Sequence, residues 1–148
     1  MSKILRFYFF IFTFFLVACA TTTSFENQEA AETNLILGMG ELQQHHAGLA
    51  QSKLFDAYHQ DPRNPRVVDG LAYFYEWQGD VVKAQSLYEQ AIRIAPKDGG
   101  AHNNDGAFLC RQHEYAAAVS QFILAEHSPN YMHPDIARRN LKKCHKAH

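Results

Sequence analysis

The chain has 148 residues and a formal net charge of -1, with 14 Lys and Arg against 15 Asp and Glu. That length holds one domain, and a near-neutral chain without a stripe of basic and aromatic residues argues against nucleic acid as a partner. The basic cluster Arg138, Arg139, Lys142, Lys143 and Lys146 reads as the wet face of a last helix.

The amino terminus predicts export. Lys3 and Arg6 precede and flank an apolar run from Phe7 to Ala18 that has signal-peptide length and is short for a membrane span, so residues 1–18 are expected to lie outside the fold. Leu16-Val17-Ala18-Cys19 resembles the bacterial lipobox, which implies lipidation at Cys19 and a mature chain that begins there. Each buried methylene of an acyl chain adds about 0.8 kcal/mol, so several chains hold a protein at a membrane surface. Ala20, not Asp, follows the cysteine, which by resemblance to enterobacterial sorting rules implies the periplasmic face of the outer membrane. Residues 19–31, rich in Thr, Glu, Asn, Gln and Ala, are expected to form a flexible tether.

Three helical hairpins follow. The clearest is residues 65–98, with Val68, Leu71, Ala72 and Tyr75 in a first helix, a turn at Gly79-Asp80, Ala84, Tyr88 and Ala91 in a second, and Pro96 as terminator. This is tetratricopeptide spacing, and sliding the frame by the repeat length of about 34 residues finds it twice more. Residues 32–64 supply Gly38, Ala50, Leu54, Ala57 and Pro62, and residues 99–132 supply Gly106, Leu109, Ala118, Phe122 and Ala125. Gly38, Ala72 and Gly106 are expected to face Ala50, Ala84 and Ala118, so that paired helices approach closely. Residues 133–148 read as a capping helix or a shortened fourth repeat, with Ile136, Ala137, Leu141 and Cys144 on its apolar face. The expected fold is an all-α tetratricopeptide solenoid of about three repeats.

Cys110 and Cys144 have neither metal-ligand spacing nor a CxxC partner. Both belong to first helices of adjacent units, whose axes lie about 8–10 Å apart. Two buried free thiols are the expected state, with a disulfide as the alternative in an oxidising compartment. The histidines are scattered, His45-His46 on a turn and His145 with His148 near the end, so no metal site is expected. No cofactor and no catalytic function are expected, since Cys110 near His113 lacks an accompanying oxyanion site.

The lipobox, the polar tether and the string Ala101-His102-Asn103-Asn104-Asp105-Gly106-Ala107-Phe108-Leu109-Cys110, followed by Asn140 and Cys144, resemble the type IV pilus biogenesis and stability lipoproteins, the tetratricopeptide pilotins. Asp105 departs from the family pattern, which has an aromatic there, and places a charge at a packed position. The family also continues through further repeats. The resemblance implies an outer-membrane lipoprotein that binds a secretin subunit and promotes its localisation and multimerisation. A lipid-anchored adaptor for cell-wall enzymes and a degenerate family member are the alternatives. The stacked first helices imply a protein-binding strip of Leu35, Met39 and Leu42, then Asp69, Tyr73, Glu76 and Trp77, then Asn103, Ala107, Cys110 and Arg111. Trp77 is expected to be its main anchor.

Overall fold

The computed structural model describes residues 25–147, so the signal segment 1–18, Cys19 and the start of the tether lie outside the described residues. Helix α1 spans residues 25–43. It is followed by α2 (Ala47–Gln60), α3 (Pro65–Trp77), α4 (Val81–Ile94), α5 (Gly99–Arg111), α6 (Tyr115–Glu126) and α7 (Pro134–Ala147). The helices pair as α3/α4 and α5/α6, and α7 packs on α5 and α6; α1 packs on α2, where Gly38 meets Leu54. This is the all-α tetratricopeptide solenoid with a capping helix.

The expected tether does not extend to residue 31. Residues 25–31 already belong to α1, and Ala31 is fully buried in the first core. Glu, Gln and Ala are strong helix formers, and one small buried residue extends the helix where no apolar periodicity announces it.

Each second helix starts at an equivalent place because each hairpin turns in the same way. His45, Gly79 and His113 occupy the left-handed region with φ of 61°, 82° and 65°. The two amides that follow each first helix return to its last turn. Gly79 N–H donates to Glu76 O and Asp80 N–H to Tyr75 O, and the same pair recurs at His45–His46 and at His113–Glu114. This Schellman pattern satisfies carbonyls that the helix end would leave unpaired. Between hairpins, Pro62 and Pro96 follow the second helices, and the side chains of Asn64 and Asp98 cap α3 and α5 by accepting from Arg66 N–H and Gly100 N–H.

The small residues sit where close approach requires them. Ala50, Ala84 and Ala118 are fully buried, as are Ala57, Ala91 and Ala125. A Cβ on Gly38 would lie 2.7 Å from Leu54 Cγ, and one on Gly106 would lie 2.9 Å from Phe122 Cδ1. Leu54, Tyr88 and Phe122 fill equivalent sites between paired helices and are buried in turn.

The expected free thiols are not found. Cys110 on α5 and Cys144 on α7 form a disulfide, with Cα atoms 5.8 Å apart and a sequence separation of 34. That separation is one repeat, so the two cysteines occupy equivalent positions on neighbouring first helices, and α7 lies close enough to α5 for the side chains to meet. Ala137 and Cys144 face inward from α7 while Arg138, Arg139, Lys142 and Lys143 face water, as the amphipathic pattern required.

Candidate functional site: the groove of the first helices

The first helices and the segment before α7 enclose an open groove of about 950 Å³. Its wall is set by helical periodicity. Leu35, Asp69 and Asn103 stand at one repeat position of α1, α3 and α5, and Met39, Tyr73 and Ala107 stand one turn later; all line the groove, together with Arg111.

Four expected strip residues do not. Leu42, 3% exposed, belongs to the first core, with Leu54 of α2 and Leu71 and Phe74 of α3 in the same cluster. Glu76 is turned toward the seam, where its Oε2 accepts from Tyr88 Oη at 3.0 Å and from Arg111 Nη2 at 2.8 Å. Trp77 lies beyond the groove beside the turn of the preceding hairpin, its ring centroid 6.4 Å from that of His45. Trp77 is therefore half-exposed but is no anchor of this groove. Cys110 is taken by the disulfide.

The structure adds lining residues that the strip omitted: Arg66 in the first turn of α3, Asp98 at the N-cap of α5, Asn104, Asn140, and Tyr131 with Met132 from the segment preceding α7. Asn104 is adjacent to Asn103 in the string that marked the third repeat. The Tyr131-Met132 segment carried no periodic signal, and its place follows only from how α7 docks.

A one-way chain of amides runs along the wall. Asn140 Nδ2 donates to Asn103 Oδ1 at 3.0 Å, Asn103 Nδ2 to Asn104 Oδ1 at 3.4 Å, and Asn104 Nδ2 to Asp69 Oδ2 at 3.0 Å. The chain ends on a carboxylate whose other oxygen, Oδ1, is buried with no hydrogen-bond partner. Burial pushes the Asp69 carboxyl up to about 7 against the Asn104 hydrogen bond, and the negative charges of Asp98 and Asp105 push the same way.

The two groove arginines are already paired. Arg66 Nη1 lies 2.8 Å from Glu32 Oε2, and Arg111 forms a two-pronged pair with Glu76. That hydrogen-bonded pair holds Arg111 above the usual guanidinium range, and burial with the Glu76 charge beside it pushes the Tyr88 phenol up. Asp105, the charge at a packed position, is 3% exposed; burial raises its carboxyl to about 6, Glu89 adds to the rise and His102 opposes it.

No known protein-family model matches the chain. Among solved structures it resembles Pseudomonas aeruginosa PilF, with a TM-score of 0.75 and 24% identity over 82% of this chain and 55% of that one. It also resembles PilW, a type IV pilus biogenesis factor, with a TM-score of 0.70 and 30% identity over 77% of this chain and 52% of that one. The chain thus spans about half the length of either structure. A Haemophilus influenzae protein described as uncharacterized is 37% identical over 136 residues, covering 90% of this chain and 76% of its own length. At that identity and coverage the chain belongs to the family of the Haemophilus influenzae protein, and it carries the tetratricopeptide fold seen in PilF and PilW.

Proposed function

We propose that this chain is a tetratricopeptide lipoprotein, anchored through Cys19 at the periplasmic face of the outer membrane, that binds a secretin subunit and promotes its localisation and multimerisation in type IV pilus biogenesis. The observation that carries the reading is the groove. In a fold like that of a type IV pilus biogenesis factor, the first helices line an open surface of apolar, aromatic and amide side chains. Such a wall suits a peptide segment, with Leu35, Met39 and Tyr73 giving apolar contact and Asn103 and Asn104 giving hydrogen bonds. The leader and Leu16-Val17-Ala18-Cys19 support the anchor.

Affinity capture of the lipidated protein from its native envelope, followed by mass spectrometry, tests this reading. Enrichment of a secretin is expected. Enrichment of cell-wall hydrolases or synthases in its place would overturn the assignment in favour of an envelope adaptor.

A further inference from the structure

The charges of the groove do not cancel as they stand. Arg66 and Arg111 are each neutralised by a glutamate from another helix, Glu32 and Glu76. The carboxylates that share the groove, Asp69 and Asp98, have no ion-pair partner among the described residues, where the salt bridges engage other acids. Asp98 uses one oxygen to cap α5, accepting from Gly100 N–H at 2.7 Å. Asp69 is 8% exposed, and its Oδ1 is a buried acceptor without a donor, while the amide chain from Asn140 ends on its other oxygen, Oδ2. An unfilled buried acceptor costs about 1–3 kcal/mol, more when it carries charge. The groove therefore carries two acids that no cation among the described residues balances.

We infer that the segment bound in this groove presents a lysine or arginine side chain whose cationic head sits between Asp69 and Asp98. The aliphatic stem of such a side chain fits the neighbouring wall, where Leu35, Met39 and Tyr73 stand beside Asp69, since long cationic side chains cover apolar surface with their stems. The head brings a positive charge to two acids that have no cation beside them and offsets the repulsion that Asp98 exerts on Asp69. A bare metal ion fits less well, because the described residues contain no group of three or more His, Cys, Asp or Glu placed to hold one. The inference rests on the proposal that the groove binds a peptide segment, but not on the identity of the protein that supplies it.

The test is selection of a random phage-displayed peptide library against the full mature chain, then titration of the selected peptides, labelled with a fluorophore, by fluorescence anisotropy. Selected peptides are expected to be enriched in Lys or Arg. Replacing that residue by Gln, or making Asp69→Asn in the protein, should weaken binding about tenfold or more, the scale of a charge-assisted hydrogen bond. Asp98→Asn, which keeps a capping side chain, should weaken it in the same direction. Peptides that bind without a basic residue, or that bind Asp69→Asn and wild type equally, would overturn the inference while leaving a peptide-binding groove. Failure to select any peptide would overturn both. Unchanged helicity of the variants by circular dichroism separates lost recognition from lost fold.

Discussion

Asp69 shows how one residue ties recognition to stability. Its carboxyl stands at about 7 in the folded chain because burial disfavours the anion, against an ordinary value of 3.8. The sign follows from linkage: between those values the folded state holds a proton that the unfolded state has lost. The contribution is complete below about pH 4 and disappears as pH rises through 7, at up to about 1.4 kcal/mol per pH unit. Asp105, raised to about 6 by burial, acts in the same direction over a narrower window. Asp69→Asn removes the cost of the buried charge and keeps an acceptor for Asn104. The variant should be more stable than wild type at pH 8, and the difference should narrow by pH 5. Urea unfolding at the two pH values measures this, and an equal difference at both would contradict the account.

At the scale of the helices, the hairpin turn is the repeated device. Gly79 takes φ of 82° in the middle hairpin, and a Cβ there would meet nothing within 4 Å. The effect of Gly79→Ala is therefore conformational alone, and it should destabilise the chain by about 1 kcal/mol. A shift in the urea midpoint reads it, and no loss would mean that the turn relaxes without penalty. His45 and His113 hold the same conformation with a side chain, and His is among the residues that enter this region more readily than most. The sequence therefore showed the turn plainly at Gly79-Asp80 and only by register at the two histidines.

What was legible in the sequence was what recurs. Ala50, Ala84 and Ala118 and Ala57, Ala91 and Ala125 mark the seams because only small side chains let paired backbones meet, and that constraint returns every repeat. What was hidden depended on single side-chain directions. Leu42, Glu76 and Cys110 share a repeat position, yet one fills a core, one clamps Arg111 and Tyr88, and one forms a disulfide. Trp77 and Arg111 likewise share a position, but only Arg111 reaches the groove, because Trp77 leans on His45 of the preceding turn. Position in the repeat defines a wall. The neighbour that each side chain finds decides whether it belongs to that wall.

For the whole molecule, the disulfide fastens the end of the stack. It closes a loop with a sequence separation of 34, for which loss of chain entropy in the unfolded state gives a stabilisation of about 3–4 kcal/mol. Since α7 also supplies Asn140 to the amide chain, the bond fixes one end of the groove wall. Reduction by dithiothreitol should lower the urea midpoint of the wild-type chain and leave that of a Cys110→Ala, Cys144→Ala double variant unchanged. An equal response of the two proteins would show that the bond contributes nothing.

The proposed function requires the groove between the first helices, and not the outer face of the stack, to hold a secretin segment. A photoreactive phenylalanine analogue placed at Tyr73 in the groove, with a control at Val82 on α4, which is 79% exposed and outside the groove, tests it most directly in living cells. A cross-link to the secretin is expected from position 73 and none from position 82. Cross-linking from 82 alone, or from neither position while the protein is folded, would overturn the proposed function.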